Sequence, residues 1–268
     1  MAVRFFPSQV GRSDQTPVAW TGDPFKLLWS DSLLLLRTWW TIPGIFRPLR
    51  LGKAANRFDE LYPSWPNMVA ISLHGLLLFT QTVFLMSLPF CLTIPSGWAL
   101  LYFAMYYLWN CAISRIINGK HLRLEPSKDI EFKDKHDEEF WIYLNGVSVG
   151  HTWMQSNIDR LSLTFGRPVH GVHNPTDGII FDLIQCLIQR NFSFSTEDIR
   201  EAYVSIKDAL LKENIKKVVF ILHSQGGIEG GLIIDWLLAE MPEDCLRKLE
   251  VYSFARYEGF ANQTSYQV

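Results

Sequence analysis

The most distinct feature of the hydropathy pattern is a long stretch without charge. After Glu60 the chain contains no Asp, Glu, Lys or Arg until Arg115. A helix that crosses the hydrocarbon core of a bilayer needs about 20 apolar residues. Residues 68–88 provide one such span, and residues 98–117 provide a second, more aromatic one after a short proline-containing break. Because helices of soluble proteins normally keep a polar face, the pattern predicts a two-helix transmembrane or membrane-embedded hairpin within residues 61–117.

Basic side chains lie at both ends of this hairpin. Arg47, Arg50, Lys53 and Arg57 precede it, and Arg115, Lys120 and Arg123 follow it. The positive-inside rule therefore predicts that both termini are cytosolic. By analogy with monotopic anchors, we expect an endoplasmic reticulum or lipid-droplet membrane. The connecting loop is short and uncharged, so the hairpin could cross the bilayer or enter one leaflet and return, and both geometries remain open. His74 and Asn110 interrupt the apolar region, and we expect them to form helix–helix hydrogen bonds.

The segment ahead of the hairpin has two parts. Residues 1–24 are rich in Pro and Gly, which predicts an irregular tail, and they lack the apolar region of a cleaved signal peptide. Residues 25–42 are apolar and contain three Trp, but Lys26, Asp31 and Arg37 interrupt them. Two interpretations are open for this juxtamembrane segment, which extends to residue 60: a helix lying in the membrane interface, or a soluble packing helix.

Beyond the hairpin the pattern changes to that of an α/β domain. Residues 118–139 are highly charged and predict a solvated linker, with a short strand at residues 130–132. Short apolar runs then alternate with longer helical ones up to residue 254. Strands are expected at 140–144, 168–172, 217–222 and 249–254, and helices at 154–165, 178–189, 195–212 and 227–241. This alternation predicts a parallel sheet covered by helices on both faces, followed by an irregular tail at 255–268.

One strand end carries a candidate nucleophile. The buried run from Val218 to Leu222 leads directly into His-Ser-Gln-Gly-Gly, and a helical pattern follows. This order of strand, tight turn with a serine, and helix is typical of a nucleophile elbow, which lifts the hydroxyl above the sheet. Ser224 is therefore the candidate nucleophile. A second strand end, Asn145 to Gly150, contains a glycine loop that would lie at the same edge of the sheet, where ligands of parallel sheets bind.

Residues 140–254 resemble the N-terminal half of an α/β-hydrolase domain of the serine esterase and lipase kind. They are similar in particular to fungal membrane proteins with a hydrophobic hairpin ahead of such a domain. The matching segments are Tyr143 to Val147, Phe165 to Pro168 and Phe220 to Gly227. The resemblance implies that Ser224 attacks an acyl ester, with lipid esters as the expected substrates. It also implies that the backbone N–H groups of Gln225, Gly146 and Val147 stabilise the oxyanion.

This chain departs from the family pattern at two points that matter for catalysis. Leu222 stands where the pattern G-x-S-x-G has its first glycine. The family's chain order is Ser, then Asp or Glu, then His, but all seven histidines lie at or before residue 223. His151 or His173 could replace the missing base if either lies beside Ser224. We expect a C-terminally truncated domain with an unpaired sheet edge. The alternative function is a non-catalytic membrane protein that uses this scaffold to bind lipid or a partner.

The amino-acid composition bears on the expected partners, metals and cofactors. The net charge is −2 and no long basic run is present, so nucleic acid is not an expected partner. Cys91, Cys111, Cys186 and Cys245 lack the spacing of metal ligands, and we expect free thiols. Neither a metal nor a cofactor is expected; the expected partners are membrane lipid and an acyl-ester substrate.

Overall fold

The structure is a computed structural model that describes residues 23–46, 49, 59, 61–132 and 136–254. The predictions for residues 1–22, for the basic cluster of Arg47, Arg50, Lys53 and Arg57, and for the tail at 255–268 fall outside the described residues.

The described part of the chain contains eight α-helices, one 3-10 helix and five strands. In chain order they are α1 (Pro24–Thr38), a 3-10 helix (Trp39–Phe46), α2 (Trp65–Cys91), α3 (Ser96–Asn118), β1 (Arg123–Leu124), β2 (Glu139–Leu144), α4 (His151–Phe165), β3 (Val169–Val172), α5 (Ile179–Phe192), α6 (Glu197–Leu211), β4 (Lys217–His223), α7 (Gln225–Glu240), α8 (Glu243–Leu246) and β5 (Leu249–Phe254).

The strands form one mixed sheet in the order β1-β3-β2-β4-β5. Only β1 runs antiparallel to its neighbour, β3, and the other pairs are parallel. The predicted parallel sheet with flanking helices is therefore confirmed. The strand predicted at residues 130–132 is wrong, because that segment has no regular structure. Instead, Arg123–Leu124 pairs with β3 from within the segment predicted as a linker, and Leu124 is buried. A two-residue strand is too short to show a period in sequence.

The central strands are buried on both faces. Along β4, Val218, Phe220 and Leu222 join a core with α6 and α7, whereas Val219 and Ile221 join a second core with α4. This explains why β4 is a continuous apolar run rather than an alternating one, as expected of a parallel strand between two helical layers. On the far side of the sheet, β5 pairs only with β4 among the described strands.

The predicted hairpin is present as α2 and α3, joined by a short turn. Both helices are long and apolar enough to cross a membrane by length and composition, and only 17% and 22% of their most apolar windows are buried. Asn110 makes the expected helix–helix hydrogen bond, since its Oδ1 accepts from Gln81 Nε2 at 3.1 Å. His74 does not: it makes no hydrogen bond to α3, and its ring lies near that of Phe46.

Candidate active site

Ser224 forms a strained turn between β4 and α7. Its backbone has φ 54° and ψ −115°, and residues other than glycine seldom adopt such a positive φ. Its N–H donates to the carbonyl of Phe254 at 3.2 Å, and its own carbonyl accepts from Gly227 N–H at 2.9 Å. The residue is exposed although its neighbours Leu222 and Gln225 are buried. The strand–turn–helix order read from the sequence is thus present, and the turn carries the strain that an elbow requires.

The loop after β2 lies directly against this serine. A Cβ atom added to Gly146 would lie 2.6 Å from Ser224 Cβ and 3.2 Å from its Oγ. Only glycine allows the two backbones to approach this closely. The structure therefore brings Gly146 and Ser224 together, as predicted, at the carboxyl ends of the adjacent parallel strands β2 and β4.

Two buried side chains hold that loop in place. Asn145 donates from Nδ2 to the carbonyl of Asn174, and its Oδ1 accepts from the N–H of Asn174, at 3.0 and 2.8 Å. Asp182 Oδ2 accepts from Ser148 N–H at 2.8 Å and from Thr176 Oγ1 at 2.6 Å. Burial raises the pKa of Asp182 to about 7, against the partly offsetting effect of these hydrogen bonds. The loops after β2 and β3 are therefore tied to each other and to α5.

The side chain of Gln225, the residue after the candidate nucleophile, is held by buried hydrogen bonds. Its Nε2 donates to Gln189 Oε1 at 2.9 Å, and Gln189 Nε2 donates to Glu229 Oε1 at 3.1 Å. Glu229 is completely buried, and burial together with the nearby Asp198 carboxyl raises its pKa well above the usual range. Burial therefore favours the protonated form of Glu229, which belongs to a polar chain under the first turn of α7.

The departure at Leu222 has a structural explanation. The Leu222 side chain is buried and packs against the first turns of α7, where a Cβ on Gly230 would lie 2.4 Å from its Cδ1. Strand and helix still approach closely, but the small residue that permits it lies in the helix instead of two positions before the serine. Gly226 keeps the other motif position, since a Cβ there would lie 2.7 Å from the carbonyl oxygen of Leu144.

Neither of the two candidate substitute bases hydrogen-bonds Ser224. His173 is 1% exposed and its Nε2 lies 2.8 Å from the carbonyl oxygen of Val149. Burial lowers the pKa of His173 to about 4, so its ring is neutral at physiological pH. His151 begins α4 and lies against Gly119, and burial lowers its pKa as well. Within the part of the chain that the structure describes, no imidazole or carboxylate hydrogen-bonds Ser224 Oγ.

Among the described residues, the site contains backbone hydrogen-bond donors but no general base beside Ser224. None of the described hydrogen bonds uses the N–H of Gln225, Gly146 or Val147. Backbone N–H groups at the start of a helix and in an adjacent glycine loop can stabilise an anion that forms beside the serine. Across residues 23–254, apart from the gaps stated above, no group of three or more His, Cys, Asp or Glu could hold a metal ion.

Comparisons with known proteins identify no relative. No protein-family model, curated protein or solved structure gives a significant match to this chain. The assignment of a function to the candidate site therefore depends on the geometry of the site alone.

Several residues that shape the site were not predicted. Asp182 and Asn174 support the loop beside Ser224 from positions distant in sequence, and Glu229 supports the start of α7 through Gln189. A signal exists for two of them, because Asp182 and Glu229 are carboxylates within otherwise apolar helix segments. A carboxylate in such a position is costly unless it is hydrogen-bonded, so each could have been identified as a buried structural acid.

Proposed function

We propose that this protein is a membrane-anchored serine hydrolase-like protein, an esterase or lipase that acts on acyl esters. The observation that carries the proposal is the conformation of Ser224: an exposed serine at positive φ between a buried parallel strand and a helix, with Gly146 against it. Such strain persists only where the surroundings impose it, and it is concentrated at functional sites.

In this proposal each group at the site has a defined role. Ser224 Oγ attacks the ester carbonyl, and the N–H groups of Gln225, Gly146 and Val147 bind the oxygen on which negative charge develops. The interactions of Asn145 and Asp182 keep the donor loop at the correct distance. A serine needs a general base to react rapidly, and the described residues place none beside it. An oxyanion hole and binding alone retain on the order of 10³–10⁴-fold catalysis over water.

The anchor supports a lipid-like substrate. The apolar helices α2 and α3 attach the domain to a membrane in this proposal, with both termini in the cytosol, at the endoplasmic reticulum or a lipid droplet. An acyl ester with long chains would then be concentrated in the same membrane as the protein.

A fluorophosphonate probe tests the catalytic half of the proposal. It reacts with activated serines, and we expect it to label the full chain and to fail on Ser224→Ala. Ser193→Ala is a matched control, because Ser193 is also exposed and also has a positive φ, 53°, but follows α5 rather than a strand. No labelling of the wild type, or labelling that survives in Ser224→Ala, would overturn the enzyme assignment.

The second candidate function is non-catalytic binding of lipid or a partner by the same scaffold. It is favoured by one observation, the lack of a described base or acid at Ser224 Oγ. Flotation of the full chain with phospholipid vesicles, without fluorophosphonate labelling, would support this candidate over the first.

A further inference from the structure

The helices α1, α2 and α3 bury polar side chains against the protein and expose large apolar ones. In α2 the buried residues are Asn67, His74, Leu77 and Gln81, and in α3 they are Asn110, Ile113, Ser114 and Ile117. Most of the exposed side chains of both helices are large and apolar, and Leu92 at the tip is 90% exposed. A helix of a water-soluble protein has the opposite arrangement, so these exposed faces are adapted to an apolar environment.

The base of the hairpin is fixed to the sheet domain. Gln81 Nε2 donates to the carbonyl of Asp177 at 2.5 Å, and Asn110 Nδ2 donates to the same oxygen at 3.2 Å. Asn118 forms two hydrogen bonds with the backbone of Thr176. Ile117 lies so close to Gly150 that a Cβ there would be 2.5 Å from Ile117 Cγ2. These contacts engage the loops after β3 and β2, which belong to the same edge of the sheet as Ser224.

This docking shortens the part of the hairpin that is free to enter a membrane. The outermost described ring contacts with the domain join Phe84 and Tyr106 to Phe181, at the start of α5. From Phe84 to Cys91 a helix rises about 10 Å, and from Ser96 to Tyr106 about 15 Å. The hydrocarbon core is about 30 Å thick, so one leaflet contributes about 15 Å. The whole helices are long enough to cross a bilayer, but their free ends have the length of one leaflet.

The helix α1 provides a second apolar surface beside the hairpin. Its buried residue is Asp31, which pairs with Arg190 at 3.4 Å and accepts from Asn191 Nδ2 at 3.1 Å, both on α5. The opposite side exposes Phe25, Trp29 and Leu36, and Trp39 and Trp40 follow. Exposed indole rings with nearby basic residues such as Lys26 and Arg37 are suited to the headgroup region.

We propose that the hairpin inserts into a single leaflet of a phospholipid bilayer without crossing it, while α1 lies in the headgroup region. The loops that flank Ser224 then face the surface of that leaflet. This deepens the membrane-anchoring half of the proposed function and does not require Ser224 to be reactive.

Depth-dependent fluorescence quenching tests this mode of insertion. All four native cysteines are replaced by serine in the full chain, and Thr93→Cys at the hairpin tip is labelled with NBD and reconstituted into phosphatidylcholine–phosphatidylethanolamine vesicles. Asp208→Cys, on the exposed side of α6, is the matched control and must remain accessible to iodide added outside. Its accessibility also reports that the labelled domain lies on the outer side of the vesicles.

Single-leaflet insertion predicts blue-shifted NBD emission at residue 93 and protection from iodide on both sides of the vesicle. Phospholipids brominated near the chain ends should quench the probe about twofold more than those brominated near the headgroup, because the tip then lies close to the bilayer centre at about 15 Å depth. Quenching by iodide trapped inside the vesicles would indicate a hairpin that crosses and would overturn the proposal. Quenching by external iodide alone would show that the tip does not enter the bilayer, and would overturn it equally. Neither outcome bears on fluorophosphonate labelling of Ser224.

Discussion

The contact between Leu222 and Gly230 predicts that the effect of Gly230→Ala on stability changes sign with the residue at position 222. Gly230 lies in the interior of α7, where replacing glycine by alanine normally stabilises a helix by about 1 kcal/mol. At this position, however, the new Cβ would lie 2.4 Å from Cδ1 and 2.6 Å from Cδ2 of Leu222. Carbon atoms in contact are ordinarily about 3.5–4.0 Å apart, so either the buried Leu222 side chain or the strand and helix must move by about 1 Å.

The magnitudes follow from these distances. Overpacking a buried site costs about 1–3 kcal/mol, which exceeds the helix gain of about 1 kcal/mol in most of that range. Gly230→Ala should therefore destabilise the wild type by about 1 kcal/mol. Leu222→Ala alone should cost about 2–5 kcal/mol because it leaves a cavity. In that background the obstacle is gone, so Gly230→Ala should stabilise by about 1 kcal/mol, giving a coupling of about 2 kcal/mol between the two positions.

Urea-induced loss of the far-UV circular dichroism signal, measured in nonionic detergent micelles, gives the four stabilities of this double-mutant cycle. Gly231→Ala is the control in the same helix, because nothing lies within 4 Å of a Cβ at Gly231. It should stabilise by about 1 kcal/mol whatever residue occupies position 222. Additive effects at 222 and 230, or a stabilising Gly230→Ala in the presence of Leu222, would refute the proposed compensation.

Two further substitutions probe the loop beside Ser224. Gly146→Ala should slow fluorophosphonate labelling about 100-fold without loss of helix content, because its Cβ would displace the loop from Ser224 by about 1 Å; an unchanged labelling rate would contradict the assigned geometry. The pKa of Asp182 is raised from 3.8 to about 7, so the folded protein holds this proton more tightly than the unfolded chain does. The resulting stability is present below about pH 4 and is lost as the pH rises through about 7. An asparagine at position 182 cannot titrate, so the amount by which the urea midpoint of the wild type exceeds that of Asp182→Asn should decrease between about pH 5 and pH 8. A difference independent of pH would contradict the raised pKa of Asp182.

The sequence predicts the elements of this fold well where they are long or continuous. The hairpin, the four longer strands and the helices between them each leave a hydropathy pattern that does not depend on the rest of the chain. The strand Arg123–Leu124 leaves none, because its identity comes from pairing with Val172 and Gly171 across the sheet.

The candidate site is predicted only in part for a similar reason. The positions of Ser224 and Gly146 follow from two strand ends that must meet at one edge of a parallel sheet. The support from Asp182 and Asn174 depends on contacts between distant segments. The accommodation of Leu222 depends on a residue in the following helix, outside the five-residue motif. The polar side chains of the hairpin were correctly expected to form hydrogen bonds at Asn110, but their second role, contact with the sheet domain, requires the tertiary structure.

The docked base of the hairpin has a practical consequence for dissecting this protein. Anchored enzymes are often studied after their membrane segment is removed, on the assumption that anchor and domain are independent. Here the removal of α2 and α3 would take away the partners of the Asp177 carbonyl and of Thr176, and would uncover Gly150 where Ile117 covers it. A soluble fragment that begins at β1 would therefore lack a wall that supports the loops around Ser224. Inactivity of such a fragment would say little about the chemistry of the intact chain.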